Sequence, residues 1–403
     1  MKLKSLFIFS ALFFFSVVLP GRQIYAIYDP LSLPNNKYGI HIIDENDMDN
    51  AAKLVNSAGG DWGYVTMVIT QNDRDTDKWN KIFDQLRNLH LIPIIRLATF
   101  LNGYYWEKPT LDQVLPWAQF LNRLHWVVKN RYIVVFNEPN HAKEWGGEIN
   151  PASYSDILSS MSASLKTESP DFFILPAGLD ASAPNAKDTM DEKLFIQEML
   201  RYNHDIYNFV DGWTSHSYPN PGYVGGSDAV GRGTVRTFQW EETLLKSLGI
   251  ERQLPVFITE TGWPHQDGNP YNPWYFSPDE VSDLILQASK TVWTDKNIVA
   301  ITPFVLNYQS YPFSNFSWQK EATSSFYPQY DSYQKLVKTA GKPVLDMSYK
   351  KILGEETTAK STNSSMRRLP VKTSKHTFSD NFLPMMDFLS HLPFIGPFIS
   401  KIF

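Results

Sequence analysis

The sequence contains no cysteine among its 403 residues. Disulfide bonds, thiolate catalysis and cysteine-ligated metal sites are therefore excluded. The chain also lacks an excess of basic residues, because 37 Lys and Arg stand against 42 Asp and Glu and give a formal net charge of −5. Since binding to a phosphate backbone requires a basic face, nucleic acid is not an expected partner.

Motifs for metals and cofactors are missing as well. No cluster of His, Asp and Glu has the spacing of a zinc protease or a calcium loop, and no Gly-rich phosphate loop follows the first apolar run. The sequence thus predicts neither a catalytic metal nor a cofactor. Aromatic residues, in contrast, make up 14% of the chain, with 12 Trp and 20 Tyr. Sugar rings stack on such faces, although core packing is the commoner use of aromatics.

The N-terminus has the pattern of an export signal. Two lysines precede an apolar run from Leu6 to Leu19, and the small residue Ala26 follows. This order predicts a signal peptide over residues 1–26. An uncleaved anchor is the alternative, because Ile24 stands where a cleavage site usually has Ala. In either case we expect the body of the protein to be secreted or held at the cell surface.

Short apolar runs alternate with longer amphipathic stretches between about residues 35 and 349. The runs predict eight strands, at Tyr38–Ile43, Trp62–Ile69, Ile92–Leu97, Tyr132–Phe136, Phe172–Pro176, Gly212–Ser215, Val256–Thr259 and Val299–Leu306. The stretches between them predict helices, among them Trp79–Leu89, Leu115–Val128, Tyr154–Lys166, Glu192–Tyr202, Thr237–Leu248 and Pro278–Val292. Repeated eight times, this order predicts a (β/α)8 TIM barrel over residues 27–349, with its active site at the C-terminal ends of the strands. A doubly wound open sheet is the competing topology.

The composition changes after residue 349. Residues 350–381 are rich in Ser, Thr, Lys and Arg and are predicted to form a flexible polar linker. Residues 382–403 are apolar, but three prolines interrupt them and make a transmembrane helix unfavourable. A membrane-surface segment, a tail that docks on a partner or on the barrel, and a disordered tail remain as alternatives. The predicted fold is therefore a TIM barrel with a disordered or membrane-associating C-terminal tail.

Two glutamates follow predicted barrel strands. Glu138 comes after the fourth strand, in Asn137-Glu138-Pro139, and Glu260 ends the seventh. A carboxylate at the end of a buried strand is costly unless it has a function. Retaining hydrolysis of a glycosidic bond requires two carboxyl groups about 5 Å apart, and strands four and seven face each other across a barrel mouth. The two glutamates are expected to converge there, whereas a structural salt bridge for each is the alternative.

Taken together, these motifs resemble the clan of retaining glycosidases built on (β/α)8 barrels. The Asn-Glu-Pro tripeptide lies at the fourth strand, Glu260 lies in Thr-Glu-Thr-Gly-Trp-Pro at the seventh, and Ser-His-Ser-Tyr lies at the sixth, over residues 215–218. The resemblance covers about residues 35 to 345. It implies that Glu138 is the acid/base and Glu260 the nucleophile of a retaining glycoside hydrolase.

The same resemblance implies roles for the neighbouring side chains. Asn137 would hydrogen-bond the 2-hydroxyl of the sugar, and Tyr218 would orient Glu260. His216 would hold a sugar hydroxyl or one of the carboxylates, although a purely structural hydrogen bond is nearly as well supported.

Five further residues are candidate substrate contacts. Arg96 closes the third strand, where it could pair with a catalytic carboxylate, although many clan members carry their supporting Arg on strand two. Asn307 and Tyr308 follow the eighth strand, where many relatives have a Trp. His41 lies near the end of the first strand. Trp263 is one of several loop aromatics that could stack on sugars, and the others are Tyr104, Tyr105, Trp106, Trp145, Trp274, Tyr275 and Trp318. Ordinary core packing is the alternative for His41 and for each aromatic.

The substrate prediction comes from two strings that resemble different groups. Residues 260–264 are similar to the nucleophile region of β-1,3-glucanases, and residues 136–140 to β-xylosidases and the Asl1-like glycosyl hydrolases. The expected function is hydrolysis of a β-linked polysaccharide or oligosaccharide through a covalent glycosyl-enzyme. A transglycosylase with the same catalytic pair is one alternative. The other is a catalytically inactive carbohydrate-binding barrel, against which the presence of two mutually repelling carboxylates argues.

Overall fold

The structure is a computed structural model that describes residues 27–348. The predicted signal peptide, the polar linker and the apolar tail lie outside the described residues. Within residues 27–348, eight barrel strands alternate with eight α-helices. The strands are β1 (Gly39–His41), β2 (Gly63–Thr70), β3 (Leu91–Ala98), β4 (Arg131–Val135), β5 (Phe172–Pro176), β6 (Trp213–Ser217), β7 (Val256–Thr261) and β8 (Ile298–Ile301). The helices are α1 (Met48–Val55), α2 (Thr76–Asn88), α3 (Val114–Asn122), α4 (Pro151–Glu168), α5 (Glu192–Tyr202), α6 (Thr237–Ser247), α7 (Pro278–Lys290) and α8 (Pro328–Lys335).

The strands close into a barrel in the order of the sequence. Strands β1 to β5 form one parallel sheet and β6 to β8 form another. A parallel bridge between Tyr38 and Ile301 joins the β1 side to β8. At the other seam, the backbone N–H of Asp211 donates to the carbonyl of Ile174 in β5 at 2.7 Å. The predicted (β/α)8 fold is therefore confirmed.

The inside of the barrel is filled by aromatic side chains from three strands. Tyr132 of β4 lies 5.1 Å from Phe173 of β5 and 5.1 Å from Phe257 of β7, measured between ring centroids. Every residue of β4, β5, β6 and β7 is buried. This burial on both faces explains why β4 and β5 read as nearly continuous apolar runs and not as alternating ones. The packed interior leaves no open channel through these aromatic side chains, and a large cavity lies at the C-terminal ends of the strands.

Two elements end several residues earlier in the structure than the sequence predicted. The apolar run from residue 299 to 306 was expected to be one strand, but β8 ends at Ile301 because Pro303 follows and the next residues pair elsewhere. The N–H of Leu306 donates to the carbonyl of His41, and Val305 pairs with Trp318 and Phe316. Likewise, the helix predicted over 115–128 ends at residue 122 as α3, and the buried segment after it bridges Val128 to residue 345.

A local sequence signal explains the start of α7. Ser277 caps α7 with the reciprocal hydrogen bonds of a capping box, its hydroxyl accepting from the N–H of Glu280 and the Glu280 carboxylate accepting from the N–H of Ser277. Helices α1 and α8, which the periodicity did not identify, complete the outer layer. Across the described part of the chain, no helix has the length and apolar character needed to cross a membrane.

Candidate active site

The C-terminal ends of the strands surround a cavity of about 370 Å³. Its wall includes Arg96 from β3, Glu138 after β4, Tyr218 after β6 and Glu260 from β7. A volume of this order is typical of small-molecule sites. The cavity lies where the barrel topology predicts an active site.

The chain leaves β4 through an unusual backbone conformation. Phe136 has a φ of 69° and Glu138 a φ of 31°, in the left-handed region that side chains other than glycine seldom adopt. The N–H of Glu138 donates to the carbonyl of Gly178 at 3.1 Å, which ties this turn to the end of β5. Such strain is concentrated at functional sites, where surrounding contacts maintain it. Here it sets the Glu138 carboxyl in the cavity wall.

His216 links the two glutamates. Its Nδ1 lies 2.8 Å from Oε1 of Glu138 and 3.9 Å from Oε2 of Glu260. Burial lowers the pKa of His216, but the charge of Glu260 and the bond to Glu138 outweigh it, so that the pKa is raised from its ordinary value. The ring fits only because residue 178 is glycine, since a Cβ there would lie 2.2 Å from the imidazole.

Glu260 is surrounded by groups that favour its ionised form. Arg96 donates from Nη1 to Oε1 at 2.5 Å, and the Tyr218 hydroxyl donates to Oε2 at 3.1 Å. Burial raises the pKa of Glu260, but the charges of His216, Arg96 and His41 and the Tyr218 hydrogen bond together lower it to about 2. Glu260 is therefore a carboxylate throughout the neutral range.

The two carboxyl groups are as close as the sequence motifs predicted. One carboxylate oxygen from each of Glu138 and Glu260 and one ring nitrogen of His216 all lie within 4.8 Å of one another. Retaining glycosidases need a separation of about 5 Å. The same three groups have a spacing that a metal ion could bridge, but the Arg96 guanidinium already contacts Glu260 and its positive charge disfavours a cation there. The arrangement fits paired-carboxyl chemistry better than metal binding.

Asn137 is held at both ends of its amide. Its Oδ1 accepts from Nη1 of Arg96 at 2.7 Å, and its Nδ2 donates to Oε2 of Glu144 at 3.4 Å. Glu144 was not among the residues selected from the sequence. It comes six residues after Glu138, in the β4–α4 loop, and only the turn of that loop brings it back to the cavity wall. No spacing rule identifies such a residue.

Four of the predicted contacts do not line the cavity. Trp263 is buried, and its indole donates to the carbonyl of Gly225 at 2.7 Å, so the ring belongs to the loop core. His41 is fully buried against Phe304, and neither of its ring nitrogens has a hydrogen-bond partner among residues 27–348. The remaining two follow the short β8 and are not part of the cavity wall. They are Asn307, which donates to Asp47 at 3.3 Å, and Tyr308, which packs on Phe313.

Aromatic side chains form the opposite walls of the cavity. Tyr104 and Trp106, two of the loop aromatics considered as sugar platforms, line it from a short hairpin of Leu101–Asn102 and Tyr105–Trp106. Residues that follow β6 and β8 form the other side: Tyr218, Tyr223, Phe304, Phe313 and Phe316. Trp145 and Trp318 are instead buried in the core. Aromatic walls around a small polar centre are typical of small-molecule binding sites.

Comparison with known proteins supports the architecture. Neither a protein-family model nor a curated protein matches the sequence. Among solved structures the protein is similar to a monomeric beta-xylosidase from Caulobacter crescentus CB15, with a TM-score of 0.50 and 14% identity, over 75% of this chain and 68% of that one. It is also similar to a triple mutant of an endo-beta-1,4-glucanase from Xanthomonas axonopodis pv. citri, with a TM-score of 0.49 and 13% identity, over 74% of this chain and 98% of that one. The chain therefore has the α/β barrel fold of the xylosidase.

Proposed function

We propose that the protein is a secreted retaining glycoside hydrolase that cleaves a β-linked glycan by double displacement. The observation that carries this proposal is the pair Glu138 and Glu260, whose carboxyl oxygens face each other within 4.8 Å at the mouth of the barrel. This separation leaves no room for a water molecule between the sugar and the second carboxylate, as inversion would require. The short separation therefore supports the proposal of retention through a covalent intermediate.

Glu260 is the proposed nucleophile. Because its pKa is about 2, it carries the negative charge needed to attack the anomeric carbon. Tyr218 and Arg96 each occupy one of its oxygens and fix the direction of the carboxylate. When Glu260 forms the glycosyl ester its charge is neutralised, and the two donors remain in position to stabilise it as it leaves again.

Glu138 is the proposed acid and base. It first gives its proton to the leaving oxygen and then takes a proton from the water that resolves the intermediate. The His216 hydrogen bond at 2.8 Å holds the Glu138 carboxyl through both steps.

Asn137 is proposed to bind the 2-hydroxyl of the sugar. It immediately precedes Glu138 and lines the cavity, and its amide is fixed by Arg96. Hydrogen bonds to this hydroxyl strengthen in the oxocarbenium-like transition state and so favour catalysis over mere binding.

The proposed substrate is a β-linked polysaccharide or oligosaccharide without charge. Aromatic residues on both sides of the cavity provide stacking surfaces, among them Tyr104 and Trp106 on one side and Phe313 on the other. The signal-like N-terminus supports action outside the cytoplasm. The fold shared with the Caulobacter xylosidase agrees with this class of substrate.

A glycan screen tests the proposal. The purified protein is incubated with β-glucans, xylans, mannans and the corresponding aryl β-glycosides, with and without EDTA, and product stereochemistry is followed by NMR. We expect release of a β-configured product first, unaffected by EDTA. An α-configured first product would refute retention, and loss of activity in EDTA would favour the metal site. Binding without turnover of any glycan would favour the carbohydrate-binding barrel.

A further inference from the structure

We infer that Glu144 is a positioning residue that holds the Asn137 amide in the orientation needed to recognise the sugar 2-hydroxyl. This inference rests on the proposed function and assigns a role to a third carboxyl group in the cavity wall. Glu144 lines the cavity beside Asn137, and its side chain is only 12% exposed. A carboxyl so well covered beside two others requires a reason.

The electrostatics of the Asn137 amide provide that reason. The carbonyl oxygen of the amide faces the positive Arg96 at 2.7 Å, and its nitrogen faces Glu144 at 3.4 Å. A flipped amide would set oxygen against carboxylate and N–H against guanidinium, and both contacts would be repulsive. The two ionic neighbours therefore select one of the two amide orientations.

The selected orientation leaves a donor for the substrate. An amide nitrogen carries two N–H groups, and Glu144 engages one of them. The second is available in the cavity for a hydroxyl oxygen. Without Glu144, Asn137 keeps only the bond from Arg96 to its oxygen, and the position of its nitrogen is no longer fixed.

The loop that carries Glu144 holds the carboxylate in place. Glu144 closes a short 3-10 turn over Ala142–Glu144, in which its N–H donates to the carbonyl of His141 at 3.0 Å. The next residue, Trp145, is fully buried and packs against Phe136 and Tyr154, with centroids 6.0 and 5.4 Å away. An anchored aromatic beside the carboxylate limits how far Glu144 can move.

Glu144 thus completes a hydrogen-bonded chain that runs from Glu260 through Arg96 and Asn137. Its other near neighbours are Lys143, whose Nζ lies 3.8 Å from Oε1, and the charge of Glu138. Substrate contact is made by Asn137 and not by Glu144 itself. Loss of Glu144 should consequently affect only the recognition of the sugar 2-hydroxyl.

Paired substrates and a double-mutant cycle test the inference. We would measure kcat/KM for the aryl β-glycoside that the wild type hydrolyses best and for its 2-deoxy counterpart. The proteins are wild type, Asn137→Ala, Glu144→Ala, Glu144→Gln and the Asn137→Ala/Glu144→Ala double variant. For Glu144→Ala we expect a loss of about 10²-fold on the 2-hydroxy substrate, the usual cost of a misplaced contact. On the 2-deoxy substrate the loss should be much smaller.

The cycle gives a second readout. The double variant should be no worse than Asn137→Ala alone, because Glu144 acts only through that side chain. Glu144→Gln, which keeps an acceptor oxygen, should recover part of the loss and guards against misfolding of the alanine variant. Equal losses on both substrates, or additive losses in the double variant, would overturn the inference while leaving wild-type hydrolysis and the proposed function intact. No turnover of either substrate by the wild type would instead refute the proposed function, and the inference with it.

Discussion

Two pairs of carboxyl groups lie in this barrel, and their surroundings have opposite effects. Glu138 and Glu260, the mouth pair, line the cavity at the mouth of the barrel. The buried pair consists of Glu192, the first residue of α5, and Glu241, within α6. These two side chains interact with each other behind the barrel wall, where both are fully buried. Burial disfavours ionisation at both places. The outcome is decided by the charges nearby.

At the mouth, cations outweigh burial. Arg96 and His216 bring the pKa of Glu260 to about 2 despite its low exposure. Behind the wall, burial and the neighbouring Glu241 charge raise the pKa of Glu192 well above its ordinary value, although Arg232 acts in the other direction. Burial likewise raises the pKa of Glu241. The proposed nucleophile therefore differs from the buried carboxyl groups in the cations around it and not in its depth.

The largest effect should come from removing the ionised member of the mouth pair. Glu260→Ala eliminates the nucleophile, so kcat should fall by at least about 10⁴-fold. Turnover of an aryl β-glycoside measures this, with circular dichroism as the check on folding. Glu241→Gln is the matched control in the buried pair and should retain activity. Comparable activity losses in the two variants would show that the different electrostatic surroundings of the two pairs are unrelated to catalysis.

The next effect comes from the other member of the mouth pair. Glu138→Ala removes proton donation, so substrates with poor leaving groups should lose about 10²-fold to 10⁴-fold while activated aryl glycosides lose less in the first step. Azide should restore part of the turnover, because it attacks the glycosyl-enzyme without a general base. The products should include the β-glycosyl azide. Uniform loss on all leaving groups, with no azide adduct, would contradict the acid/base assignment.

The mouth pair was predictable from the sequence, whereas the buried pair was not. Glu138 and Glu260 each follow an apolar run that can only be a buried strand, and parallel barrel strands present their C-terminal ends at one face. Glu192 and Glu241 stand on helices, where a charged residue usually marks the solvent side. Their meeting depends on how α5 and α6 pack, which periodicity does not encode. The sequence therefore does not reveal which side chains of two neighbouring helices come into contact.

The same limit explains the errors at the site. Trp263 belongs to the string that resembles the nucleophile region of β-1,3-glucanases, but Gly262 before it has a φ of 117°, and the indole donates a hydrogen bond to the carbonyl of Gly225 and does not line the cavity. Glu144 lies on a loop whose return to Asn137 no local pattern indicates. Residues on strand ends could be placed from sequence, because the barrel fixes them. Residues on loops required tertiary contacts.

A smaller effect should sharpen the role of the cations. Arg96→Met removes the guanidinium beside Glu260, so the pKa of Glu260 should rise and the acidic limb of the kcat/KM profile should move to higher pH. Activity at neutral pH should fall by about 10²-fold, as for the loss of one preorganised donor. The control is Arg201→Met, which removes an exposed arginine paired with Glu198. An unmoved acidic limb in Arg96→Met would show that the other neighbours, His216, His41 and Tyr218, sustain the ionisation of Glu260 without the guanidinium.

The smallest effect is on stability, and the change in Tm near neutral pH should have opposite signs for variants of the two pairs. A carboxyl with a raised folded-state pKa stabilises most below its ordinary value of 4.5, and this contribution is lost as pH rises through the folded-state pKa. Glu241→Gln should therefore melt above the wild type near pH 8 and show a flatter dependence of Tm on pH. Glu260 has a lowered pKa, so its contribution is present above pH 4.5 and is lost as pH falls toward 2. Glu260→Gln should accordingly melt below the wild type at pH 7, with the gap closing in acid. Calorimetry of both variants from pH 3 to 8 measures the two slopes, and parallel curves would show that the electrostatic contrast contributes nothing to folding.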